Sequence, residues 1–108
     1  MIDAKAFASF LDQQAAVDSS KKMGTMGYCM SGSIAFRTAA ALPQRVGAVA
    51  SFHGGGLVNT TPDSPHLLIP KTQAQFLIAI AENDDQRDLE AKNVLRKSFA
   101  DAKIKAEV

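Results

Sequence analysis

Hydrophobic and polar positions follow periods that change from block to block along this chain. Residues 3–15 read as a helix, because Phe7, Phe10 and Leu11 recur at three- and four-residue spacing while Asp3, Lys5, Asp12 and Gln13 fall elsewhere. Turn formers in "VDSSKK" break that pattern. Met23 to Tyr28 predicts a first strand, weak by propensity because two of its six residues are glycine. Residues 31–42 predict a second helix, with Ile34, Thr38 and Leu42 on one side and alanines around it, ended by Pro43. Val46 to Phe52 is small and apolar throughout, as suits a strand buried on both faces of a parallel sheet.

A long connection follows, "HGGGLVNTTPDSPHLLIPKTQ", rich in Gly, Pro, Asn, Thr and Ser. Connections of that length are more often functional than incidental. Phe76 to Ala81, "FLIAIA", is the strongest strand of the set, and "ENDDQRD" reads as polar loop with Asp88 as N-cap of the next helix. Residues 89–102 place Ala91, Leu95, Phe99 and Ala102 on one stripe, and Ile104 to Val108 opens a fourth strand. Alternation of this kind predicts an α/β fold, a parallel sheet with helices on both faces and right-handed crossovers, in a single domain over residues 1–108. The last strand has no helix after it, so the chain reads as a partial domain.

Composition narrows the function classes. Twelve Lys and Arg against eleven Asp and Glu leave a formal charge of +1, with no basic cluster to grip nucleic acid. No apolar run approaches the ~18 residues of a membrane span. The first residues, "MIDAKAFASFLDQQ", lack the basic-then-apolar layout of a signal peptide. A single cysteine makes no internal disulfide, which fits a reducing, cytoplasmic setting.

That cysteine stands where two conformations meet. "GYCMSG", Gly27 to Gly32, joins the first strand to the second helix, with a nucleophile type at its third position and small residues before and after. A nucleophile held in strained backbone at a strand-to-helix turn needs small neighbours, since larger ones collide with the crossing strand and helix. The turn also sets Cys29 at a helix N-terminus, where the dipole and free amides favour a thiolate. The Met30 amide would point at the oxyanion of a tetrahedral intermediate.

The stretch "GYCMSGSIAFRTAAALPQRVGAVASFHGGGL" followed by "FLIAIAENDD" resembles the dienelactone hydrolase family of α/β-hydrolases, which carries Cys on its elbow. Gly27, Tyr28, Cys29 and Gly32 stand in the motif positions, and Ser31 occupies a place where the family usually has glycine. The resemblance implies a catalytic acid in the loop after "FLIAIA". "AEND" matches its G-x-x-D pattern with Ala81 in the glycine's place, so the role goes to Asp84, with Asp85 as the near alternative. The family's third member is a histidine beyond the last strand, and this chain ends at Val108 before any such residue. The expected activity is hydrolysis of an ester or lactone through the Cys29 thiolate, with a small-molecule substrate, no cofactor and no metal. As these 108 residues alone, the chain is expected to be incomplete or inactive.

Plainer readings stand beside these. Cys29 as a buried structural thiol is the alternative, free cysteine being among the most buried residue types; Asp84 as a solvated turn acid is another. His53, one residue past the second strand, either lines a pocket with Tyr28, serves as a surrogate base, or is a hydrogen-bonded loop histidine. His66 reads as structural or exposed. "GGGL" lacks the Lys-Ser/Thr of a phosphate loop and reads as a tight turn. Met23, Met26 and Met30 read as core and pocket lining. A different class of function is association: an open sheet edge invites pairing with a second copy or a complementing chain.

Overall fold

A computed structural model describes residues 2–108. Its elements run α1 (Ile2–Asp12), β1 (Met23–Tyr28), α2 (Ser31–Ala41), β2 (Val46–Phe52), a 3-10 turn (Pro65–Lys71), β3 (Gln75–Ala79), α3 (Glu82–Arg87), α4 (Ala91–Asp101) and β4 (Ala106–Glu107). The four strands lie in the order β1-β2-β3-β4, all pairs parallel. Tyr28, Phe52 and Ala79 stand level in the register, so the carboxyl ends of β1, β2 and β3 share one rim.

The core is built around three rings. Phe36 of α2 lies 5.0 Å from Phe76 of β3, and Phe76 lies 4.8 Å from Phe99 of α4, ring centre to ring centre. Val46, Val49, Ile69, Ile78 and Leu95 close around them. Alanines at positions 35 and 39 let α2 lie close to the sheet, so the buried stripe is Ala35, Phe36 and Ala39. Of the expected stripe of Ile34, Thr38 and Leu42, Leu42 packs against the core, Thr38 is half-buried and Ile34 is exposed.

The parallel sheet and its helices are those the alternation implied, but the cover is uneven. On one face Val49, Ser51, Phe76 and Ile78 are buried under α2, α4 and the 3-10 turn. On the other face Met26 is 65% exposed, Tyr28 56% and Leu77 40%. Burial of β2 on both faces is therefore corrected: Val46, Val49 and Ser51 are buried, while Ala48 between them is exposed. Met26 and Met30 are likewise exposed rather than core. In α1 only Ala8 is buried, and the stripe of Phe7, Phe10 and Leu11 faces outward. An ion pair ties this helix to the rest, Arg45 Nη2 meeting Asp12 Oδ1 at 2.5 Å.

Several boundaries differ from expectation: the third strand runs Gln75–Ala79 rather than 76–81, α4 starts at Ala91 rather than residue 89, and β4 is Ala106–Glu107 rather than 104–108. The first helix ends at Asp12 rather than residue 15, where Gln13 and Gln14 close turns on Phe10 and Leu11. The "ENDDQR" segment is the short helix α3, not loop; Glu82, Asp84 and Asp85 in its first turn and Arg87 in its last complement the helix dipole. The long connection is not structureless either, since Pro65–Lys71 forms a 3-10 turn that buries Pro65 and Ile69. The expected N-cap role of Asp88 is corrected, because α4 starts later and its N-cap is Glu90; Asp88 lies two residues ahead, its Oδ1 accepting from the Ala91 N–H at 3.1 Å.

Candidate active site

The backbone bends at Cys29. Its φ is +54°, in the left-handed region that a non-glycine residue adopts only where its surroundings impose it. The bend is set from both sides. The Cys29 N–H still donates to Phe52 O at 3.0 Å, extending the β1–β2 ladder one residue past the strand, while Cys29 O accepts from the Gly32 N–H at 3.1 Å as α2 begins. A Cβ at Gly27 would stand 2.1 Å from Ser31 O, so no other residue fits where the helix crosses the strand. The thiol is exposed, on the rim and not sealed in the core.

Ser31, the departure from the family's glycine, is a clip across this bend. Its hydroxyl accepts from the Tyr28 N–H at 2.7 Å and donates to Tyr28 O at 2.6 Å. The residues on either side of Cys29 are thereby bound to each other. The sequence marked Ser31 only as standing where the family usually has glycine; hydroxyl in place of hydrogen was the available signal. Met30 follows in right-handed helical backbone (φ −56°, ψ −27°) as N-cap of α2. No acidic residue occupies the first turn of α2, so the positive end of its dipole is uncancelled beside the thiol.

His53 repeats the bend one strand over. Its φ is +42°, and its N–H donates to Ala79 O at 2.8 Å, so β2 ends on β3 as β1 ends on β2. The imidazole is exposed and its ring centre lies 6.3 Å from that of Tyr28, which in turn stacks on Phe52 at 5.1 Å. Tyr28, Phe52 and His53 thus form an aromatic margin next to Cys29. His66 is elsewhere, in the 3-10 turn, its Nδ1 2.7 Å from the hydroxyl of the buried Ser64.

The two carboxylates part company. Asp84, in the first turn of α3, lines a cavity of about 210 Å³ with Gly54 to Val58, Arg87 and Asp88. Its Oδ1 lies 3.9 Å from Arg87 Nη1. Asp85 turns to α4, where Lys92 Nζ meets its Oδ2 at 2.6 Å. Asp84 is therefore the one facing the glycine loop that follows His53. From the β1 end to the β3 end is two strand spacings, about 10 Å. Among the described residues no group of three or more His, Cys, Asp or Glu is gathered as a metal site would need. No helix among them is long and apolar enough to cross a membrane.

A parallel sheet whose second helix starts from an exposed thiol on a left-handed corner has the fold of an α/β-hydrolase around its nucleophile elbow. The comparisons agree and are more specific. The family model described as "Dienelactone hydrolase family" matches residues 2–108, and the chain belongs to that family. Two solved structures share its fold. A dienelactone hydrolase-like promiscuous phosphotriesterase from metagenomic libraries superposes with a TM-score of 0.74 at 25% identity, over 97% of this chain and 41% of its own. A protein described as m3DLH superposes with a TM-score of 0.73 at 21% identity, over 96% of this chain and 40% of its own. This chain thus spans about two fifths of the length of either. No curated protein matches it in sequence.

Proposed function

We propose that this chain carries the nucleophile and acid of a dienelactone-hydrolase-type enzyme that cleaves an ester or lactone. The Cys29 thiolate attacks the carbonyl carbon, forming a carbon–sulfur bond, and the Met30 amide donates to the oxyanion. The alkoxide leaves with a proton, and water then cleaves the thioester to a carboxylic acid and restores the thiol. Asp84 orients a histidine brought by polypeptide outside these 108 residues, and Tyr28 and His53 wall the substrate. The reading needs no cofactor and no metal, and an exposed free thiol suits the reducing cytoplasm. The observation that carries it is the exposed sulfur on a left-handed corner, directly ahead of a helix whose first turn has no acid.

Acylation tests it without requiring turnover. An activated aryl ester such as p-nitrophenyl acetate should release one equivalent of phenolate per chain, with mass spectrometry finding the acyl group on Cys29. Cys29→Ala should release none above the buffer rate. Equal release by the two proteins would remove the nucleophile.

A second reading rests on the bare sheet face and the unpaired edge of β1: a second copy of the chain pairs along that edge. Met26, Tyr28 and Leu77 on the face and Phe7 and Leu11 beside the edge give it apolar area to cover. Sedimentation velocity at tens of micromolar should then show a dimer or larger species; a monomer throughout would end the idea.

A further inference from the structure

The buried hydroxyls of this chain are bonded, with one exception. Ser64 Oγ accepts from the Asn59 N–H and lies 2.7 Å from His66 Nδ1, and Thr72 Oγ1 donates to Ile69 O at 2.9 Å. Ser51 is as deeply buried, yet its hydroxyl has no partner among the described residues. A buried hydroxyl without a partner carries a desolvation cost that alanine would not carry. Hydrogen bonding therefore does not account for serine at position 51. What remains is the volume of its oxygen.

That volume lies between two glycines of different segments. Ser51 pairs with Gly27 of β1 and Ile78 of β3, and its side chain enters the covered face beneath the start of α2. A Cβ at Gly32, the second residue of α2, would stand 2.3 Å from Ser51 Oγ, and one at Gly54, in the turn after β2, 2.4 Å. Neither glycine has left-handed backbone, so conformation does not demand glycine at either place; space does. The two segments also touch directly, since the next atoms that a Gly54 Cβ would meet are Cys29 O and Gly32 Cα, both at 3.5 Å.

We propose that Ser51 is a positioning residue for Cys29, its oxygen acting as a prop that sets the height of the elbow helix over the sheet. The assignment rests on the reading of Cys29 as the nucleophile. The path from prop to thiol is short. Ser51 Oγ bears on Gly32, and the Gly32 N–H donates to Cys29 O at 3.1 Å, so a shift of Gly32 carries the Cys29 backbone with it. Met30, whose amide serves the oxyanion, lies between them in sequence. Reactive geometry is lost with displacements on the order of 1 Å, and removing an oxygen from beneath the helix start permits one of that order.

A cycle of variants tests this: wild type, Ser51→Ala, Gly54→Ala and the double variant carrying both changes. Each is titrated with urea, and its acylation by p-nitrophenyl acetate is resolved into a half-saturating ester concentration and a first-order rate. Ser51→Ala should keep the wild-type urea midpoint or exceed it, because an unpartnered hydroxyl is removed. Its acylation rate should fall about three- to tenfold, with the half-saturating concentration unchanged. Gly54→Ala should lose both stability and acylation, because its methyl meets the oxygen at 2.4 Å. With that oxygen gone, the same methyl has no contact under 3.5 Å and refills the space. The double variant should therefore acylate within about twofold of wild type, faster than either single variant.

Alkylation of Cys29 by iodoacetamide, followed in the same four proteins, is a readout free of ester chemistry and should rank them in the same order. Additive losses in the double variant would overturn the assignment. So would a lowered urea midpoint with wild-type acylation in Ser51→Ala, the mark of an ordinary core residue. The two readings fail separately. No Cys29-dependent acylation in the wild type, with alkylation still restored in the double variant, would sink the hydrolase reading and leave the prop. Cys29-dependent acylation with additive variants would sink the prop alone.

Discussion

The two faces of the sheet are made by alternate residues of the same strands, yet they live in different surroundings. Phe76 and Ile78 of β3 are almost wholly buried, while Leu77 between them is 40% exposed. In β1, Gly27 is buried against the start of α2 and its neighbours Met26 and Tyr28 stand open. The covered face is specified by volume: Phe36, Phe76 and Phe99 interlock, and alanines at 35 and 39 bring the helix down onto them. The bare face is just as apolar but has no counterpart among the described residues. Hydrophobicity along a strand therefore reports which positions are able to be buried, not which are.

The largest expected effect sets the faces against each other. Ile78→Ala should cost about 2–5 kcal/mol through lost burial and a cavity. Leu77→Ala, one residue away, should cost about 0.5 kcal/mol or less, as exposed positions do. Urea titrations of both variants check this, and similar losses would mean that the bare face is covered in solution. Next in size, Ser31→Ala removes both bonds that bridge Tyr28 across the bend. At about 0.5–1.5 kcal/mol each, the loss should reach 1–3 kcal/mol and Cys29 acylation should slow; wild-type melting and kinetics would dismiss the clip.

The smallest effect concerns α1, which is held by an ion pair where α2 is held by packing. The hydrogen bond from Arg45 holds the Asp12 carboxyl below its usual range. A depressed carboxylate stabilises above its unfolded value and loses that contribution as pH falls through the folded one. Helical circular dichroism should therefore drop below about pH 4 before the sheet unfolds. Asp12→Asn should lack that step.

Much of this fold was legible from period and punctuation. β1 and β2 have the bounds expected of them, and α4 buries Leu95 and Phe99 as its stripe required. The bend at Cys29 was legible because glycine at 27 and 32 leaves room for nothing else. Burial was harder to read. The α1 stripe of Phe7, Phe10 and Leu11 has the spacing of a core face, but spacing carries no information about what stands opposite. α3 escaped notice because its stability is electrostatic, with acids first and arginine last and no buried residue to mark a period. Asp84 and Asp85 are likewise alike in sequence, and what separates them is tertiary: Lys92 engages Asp85, while Asp84 lines the glycine-loop cavity near Arg87. The Ser31 clip depends on two distances that composition does not encode.

Ser51 sits at the centre of this rim, fully buried, its hydroxyl without a hydrogen-bond partner among the described residues. A methyl at Gly32 or Gly54 would come within 2.3 or 2.4 Å of that oxygen. One atom is thus wedged between the start of the elbow helix and the strand-end turn that presents the imidazole. Neither turn can close on the other without displacing that oxygen, so the spacing of the two strand ends is set by a single buried hydroxyl.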